Sequence, residues 1–575
     1  MKKITLFLTA TAIITFLSGC NDSFLERYPL DQLTSETFWV SENDLSTYTA
    51  TLYSHVPNHE DVLWDDNVSD NMAPATYDET AAGLHLAETG TWDWEYLRKC
   101  NFFLDHYSKA VVEETIKNEY AAEVRLFRAW FYFERVVKYG DVPWVDHALT
   151  TDDTDILYGS RTPRNEVMDH IIDDLTYATE HLSESREEGR VNKYAALHLK
   201  ARICLFEGTY RKYHKLGDPT TYLQQAVTAA EQIMNSGKFA LYSTGNPTMD
   251  YRNLWTQNNL AGNSEMIFSR HYDSVLYGHG GGFPIRYIPI DNNGLTKDMV
   301  NDYLCTDGKP ISLSPLYKGD ASLDDEFENR DPRMAQTIVS PGIGFWGEGG
   351  ENEIVPRLYV AQGAGSSTST GYHWMKAYSR EAEAMADKAE TDLPVFRYAE
   401  TLLIYAEAKT ELGQATQLDI DKSINLIRKR VNMPNMVISD LQRDPDSDMT
   451  RAAGYLDEEV PVLLEEIRRE RRVELAVEGF RRNDLLRWRA GKFYEKPVLG
   501  ARWSYFLGLK NLSGMPIYDN NSLGKDIWIN KDGYIEPYQK SLPKGRVFNP
   551  NKHYLMAIPL VEISLNPNLG QNPGW

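Results

Sequence analysis

The residues of this chain best suited to chemistry with a ligand are aromatic rings standing beside acids in loops. Trp64 is followed by Asp65, Asp66, Asn67, Asp70 and Asn71 in a loop-like stretch. A ring face excludes water from the apolar side of a sugar, and carboxylates make strong hydrogen bonds to its hydroxyls. Trp64, Asp66 and Asp70 therefore form one candidate ligand-binding cluster. Trp92, just before a helix carrying Asn101, is close enough in sequence to share a surface with it. Tyr277, Arg286, Tyr287 and Trp346 form another group in a region rich in Gly, Asn and aromatic residues. Each of these residues also has a structural reading, as filler between packed elements.

Two acids flanking a glycosidic bond would hydrolyse it. With 83 Asp and Glu residues, chance pairs are everywhere, so no catalytic residue is assigned. The sequence has no metalloprotease helix motif, no Gly-Lys-Ser/Thr phosphate loop and no Gly-x-Ser-x-Gly elbow. Asp519-Asn520-Asn521 with Gly524 starts like a calcium loop, but its twelfth position is Asn530, and a turn is the better reading. The histidines lack ligand spacing. No metal and no cofactor is expected. Cys100, Cys204 and Cys305 are odd in number and read as small core residues.

Covalent chemistry is written at the N-terminus. Met1-Lys2-Lys3 precedes an apolar run from Ile4 to Leu17, and Leu17-Ser18-Gly19-Cys20 matches the bacterial lipobox, in which the cysteine thiol is acylated. The run is shorter than the ~20 residues that span a bilayer. Several acyl chains on Cys20 would anchor the protein far better than one. The predicted state is a lipoprotein tethered to a membrane. Its net charge of −23 repels nucleic acid and anionic surfaces, and neutral ligands are the natural partners. With 42% hydrophobic and 25% charged residues, the composition is that of an ordinary globular protein.

The elements that must position these residues are mostly helical. Apolar residues at spacings of three and four predict helices from about 41 past 53, then over 95–107, 113–138, 163–182, 192–213 and 219–236. Thr162 is expected to cap the fourth, with Pro163 at its first position. Short turns between them predict antiparallel pairs and a tetratricopeptide-like superhelix, although the 34-residue repeat is not cleanly present. The helical period fades over 239–394. Helices resume at 395–412, 420–431 and 458–490, and 554–575 reads as short-stranded and turn-rich. The expected organisation is a signal peptide (1–19), an anchor and tether (20–40), an N-terminal helical part with ligand-side loops (41–238), an irregular inserted lobe (239–394), and a C-terminal helical part with a signature tail (395–575).

Four ordered segments carry a family resemblance. They are Phe396-Arg397-Tyr398-Ala399-Glu400-Thr401-Leu402-Leu403, Ile424-Asn425-Leu426-Ile427-Arg428-Lys429-Arg430, the stretch from Ile467 to Trp488, and Asn566-Pro567-Asn568-Leu569-Gly570-Gln571-Asn572-Pro573-Gly574-Trp575. In the third, glutamates interleave with arginines. Glu465 with Arg469 and Glu478 with Arg482 are four apart, so a paired, neutralised helix face is expected, not a nucleic-acid arm. Gly479 is expected to end that helix in the left-handed region.

Together these segments resemble the SusD/RagB family of Bacteroidetes outer-membrane lipoproteins. The resemblance implies a mainly α fold, a tetratricopeptide-like helix-pair superhelix with an inserted irregular, loop-rich lobe. It also implies a cell-surface, non-enzymatic protein that captures a glycan and delivers it to a SusC-like TonB-dependent transporter. The ligand site would lie between the N-terminal loops and the lobe. The open alternatives are a peptide-capturing protein of the RagB kind, a lid without a ligand of its own, and a glycoside hydrolase.

Overall fold

Local capping sets where the first helices begin. Ser41 opens α1 (Glu42–Ala50) through a capping box with Asp44, and Asn58 opens α2 (His59–Leu63) through one with Asp61. Such boxes satisfy N–H groups that a first turn cannot pair internally. The structure is a computed structural model that describes residues 38–88, 90–276, 278–279, 292–340, 345–347, 350–353, 358, 367–378, 388–447, 459–510 and 514–575. The predicted anchor Cys20 and the candidate residues Tyr277, Arg286 and Tyr287 lie outside the described residues.

Four long helices follow: α3 (Glu95–His106), α4 (Glu114–Tyr139), α5 (Arg164–His181) and α6 (Lys193–His214), with α7 (Thr220–Asn235) after them. α4 stops at Gly140, whose φ of +75° leaves the helical region. At α5 the expected cap is corrected. Pro163 takes the cap position without a side-chain bond, and Thr162 instead bridges Val142 while its hydroxyl accepts the Trp144 N–H. Each helix from α3 to α7 packs on the next, and α7 packs on α8 (Tyr398–Glu411). α6 and α7 approach closely at Gly208, where a Cβ would stand 2.8 Å from Leu223. The result is a mainly α superhelix of helix pairs.

Between α7 and α8 the chain is irregular and, among the described residues, forms three two-stranded antiparallel sheets together with the N-terminal loop. β1 (Met72–Ala73) pairs with β3 (Gly294–Leu295), β2 (Met266–Arg270) with β6 (Leu393–Arg397), and β4 (Phe345–Gly347) with β5 (Gly350–Glu353). β6 corrects the expected helix start at 395. The apolar run there suits either state, and pairing with β2 selects the strand. The expected helix over 420–431 is split into Gln417–Asp421 and α9 (Ile424–Arg430). The one expected over 458–490 is also split, into α10 (Val462–Glu474) and α11 (Arg481–Arg487). Val477 and Gly479, at φ +61° and +75°, lie in the break. The tail forms α12 (Leu560–Leu565) and a 3-10 turn at Pro567–Leu569 where short strands were expected. Asn572 fastens it by donating to the carbonyls of Tyr139 at 2.9 Å and Met556 at 2.7 Å.

Charge organises the centre. Every residue of α10 from Leu464 to Glu474 is buried, so its charges cannot be solvated and must be paired. Glu474 receives Arg397 and Arg430 at 2.7 Å and Arg333 at 3.0 Å. Arg468 reaches Glu411 of α8 at 3.0 Å, and Arg471 reaches Asp484 of α11 at 2.9 Å. Arg469 and Arg472 bind Asp302 of the lobe at 3.0 and 2.6 Å. The pairing expected along one helix face is thus corrected to pairing mainly between elements; Glu478 binds Lys376 and Arg397. Burial alone would raise the Glu474 carboxyl, but the three guanidiniums hold it well below the carboxylate range. Glu474→Gln should therefore lower stability by about 3–5 kcal/mol, read as a fall in the thermal midpoint. An unchanged midpoint would show that the network adds nothing.

Candidate functional site

The N-terminal loop is sewn to the lobe. Besides the β1–β3 pairing, the Thr296 hydroxyl donates to the Asp70 carbonyl at 2.7 Å, and Asn293 donates to the Asn67 side chain at 2.9 Å. Trp374 is fully buried and donates through Nε1 to Asn293 at 2.9 Å. Trp64 packs here half-buried, against the cluster that includes Trp255 and Tyr272. Trp346 lies on β4.

Asp66 and Asp70 do not present carboxylates to a ligand. Asp66 is buried and accepts the Val477 N–H at 2.9 Å and Asn71 at 3.3 Å; burial raises its carboxyl to about 7. Asp70 is buried between Arg481, at 2.6 and 2.8 Å, and Arg472 at 3.2 Å. Burial would raise it too, but the two guanidiniums hold it well below the ordinary range. Their expected ligand role is corrected: they clamp the loop onto α10 and α11. Gly479 makes the approach possible, since a Cβ there would stand 3.0 Å from the Cβ of Asp65.

Trp92 belongs to a different part of the core. It packs edge-on against Trp94 and Tyr139, with centroids 5.2 and 5.0 Å apart. It lines a groove of about 600 Å³ between the start of α3, the loop over 143–149, the turn at 156–158 and the tail. Trp94 lines it too, as does Tyr158, which is 59% exposed. Arg98 and Glu562 supply charge. Asn101 shapes one wall by donating to the carbonyls of Val145 and His147 at 2.8 and 3.2 Å, while accepting from Arg128 at 3.0 Å. Half-buried rings with charged and amide groups around them can stack on a pyranose and bond its hydroxyls.

Residues 264–575 match the family model described as the SusD family, and residues 24–205 match one described as starch-binding associating with outer membrane. The chain belongs to the SusD family. It is 26% identical over 468 residues to a SusD-like protein of Formosa agariphila, covering 80% of this chain and 75% of that one. It is 22% identical over 465 residues to the starch-binding protein SusD of Bacteroides thetaiotaomicron, covering 74% of each. A solved SusD-like protein of Bacteroides fragilis has a TM-score of 0.70 at 25% identity, over 96% of this chain and 100% of its own. A SusD-like carbohydrate-binding protein of that species, also at 0.70, is 24% identical and covers 93% and 100%.

A histidine pair adds a pH-sensitive joint to the seam. His59 of α2 and His279 of the lobe stand 4.4 Å apart, ring centre to ring centre, and both engage the Thr391 carbonyl through Nε2, at 2.8 and 3.1 Å. Burial lowers their pKa values to about 3 and about 4. Unfolded histidine titrates near ~6.5, so between these values the unfolded chain binds more protons and stability rises with pH. The contribution should be complete above about pH 6.5 and fade towards pH 4. Thermal midpoints recorded across that window should fall with acid, and fall less in His279→Asn.

Proposed function

We propose that this protein is a surface lipoprotein, anchored through Cys20 in the outer membrane, that binds an oligosaccharide or polysaccharide and passes it to a SusC-like TonB-dependent transporter. The observation that carries the reading is the groove at Trp92, Trp94 and Tyr158, which offers aromatic faces beside Arg98 and Glu562. Membership of the SusD family supports it, as do the starch-binding and carbohydrate-binding descriptions of relatives. The mechanism is capture without covalent chemistry: rings stack on the sugar, charged groups orient it, and the acyl chains keep the complex near the transporter at high effective concentration. Trp64 offers a second surface, at the seam, for the same ligand.

Affinity electrophoresis across a glycan panel, beside a peptide panel, tests the proposal. The acyl-free protein should be retarded by at least one glycan and release no reducing ends. Trp92→Ala should weaken that binding about tenfold, the equivalent of ~1.4 kcal/mol. Loss in Trp64→Ala alone would move the site to the seam, retention by peptides alone would favour peptide capture, and accumulating reducing ends would make the protein a hydrolase.

One observation favours a second use of the groove. Leu157, Val561 and Leu565, in its wall and in α12, are 42, 61 and 68% exposed, an apolar border of the kind protein partners cover. If Leu565→Ser impairs uptake while glycan binding stays intact, the groove is a transporter contact.

A further inference from the structure

A second cavity, of about 200 Å³, opens between α2, α4, α6 and the break separating α10 from α11. Its walls include the rings of Trp130 and Phe480. Six acids line it: Glu400, Glu478 and Asp484 are paired with Arg202, Arg397, Arg471 and Arg487, whereas Asp61 and Asp65 are exposed and the Glu134 side chain is 48% exposed. Asp61 accepts the Asn58 N–H at 2.9 Å. His55 lies 3.5 Å from Glu134 but is no counter-ion, because burial lowers its pKa to about 4.

Deeper in the same wall are donors without acceptors. Trp255 is 1% exposed, and its indole N–H has no partner among the described residues. Arg471 is 4% exposed; its Nε bonds Asp484 at 2.9 Å, and its Nη1 has no partner among the described residues. A buried donor left unpaired costs ~1–3 kcal/mol, so an oxygen-bearing occupant is favoured. Acids at the mouth favour a cation. The volume equals that of about six or seven waters, room for one pyranose and no more. Crowding by protein raises Asp65 to about 6 and Glu134 to about 7, and Arg482 and Arg135 oppose this only in part.

We infer that this cleft binds a single unacetylated amino-sugar residue, its ammonium held by Asp65 and Glu134 and its hydroxyl oxygens by Trp255 and Arg471. The site is separate from the Trp92 groove and does not depend on it. Titration calorimetry of the acyl-free full chain with glucosamine tests it. Saturable binding at one site is expected, with N-acetylglucosamine, glucose and ethanolamine each at least tenfold weaker. Glu134→Gln and Asp65→Asn should each weaken glucosamine at least tenfold without lowering the thermal midpoint, since the protein around both groups disfavours the charged form that the amide removes. No binding, equal binding of N-acetylglucosamine or ethanolamine, or unchanged affinity in Glu134→Gln would overturn the inference. Trp92→Ala, measured in parallel, should change glycan-panel binding and leave glucosamine untouched, so the two sites can fail separately.

Discussion

One buried helix, α10, sets the positions of everything around it. An ion taken out of water costs several kcal/mol unless a partner meets it with good geometry. α10 buries four arginines and four glutamates between Glu465 and Glu474. The carboxylates that answer its arginines come from α8, from α11, from the lobe and from the N-terminal loop. None of these can shift without leaving a charge unpaired. The break after Glu474 follows from the same demand. Glu478 has to turn towards Lys376 and Arg397, and Arg481 towards Asp70, which a continuous helix would not allow.

Where the chain's own periodicity decides the structure, the residues were legible. The bounds of α3 to α7 fall within one residue of the predicted spans, because long amphipathic segments carry their own signal. β6 was not legible, since its apolar run becomes a strand only beside β2. Asp66 and Asp70 show the limit more sharply. An acid two or six places after a tryptophan in a loop looks like a ligand group, and nothing nearby shows that Arg472 and Arg481, some four hundred positions later, claim Asp70. Trp92 and its neighbour Trp94 were visible as rings. Their groove was not, because Leu565 and Leu569 complete it from the far end of the chain.

The family-defining segments now have a physical reading. Arg397, Glu400, Arg471, Glu478, Asp484 and Arg487 line the smaller cleft. Most of their charges are already paired: Glu400 with Arg202, and Arg487 with Glu407 and Asp484. They work as scaffold. The acids that stay exposed come from α2, the loop after it and α4.

The way the tail is fastened has a consequence for timing. Arg161 donates to the Leu569 carbonyl at 2.7 Å and to Asn572 at 2.8 Å, and Asn566 donates to the Gly159 carbonyl at 2.9 Å. The groove therefore has no complete wall until residues near 570 have been made and have folded back onto the first half of the molecule. A chain emerging from its N-terminus stays unfinished through nearly all of its synthesis.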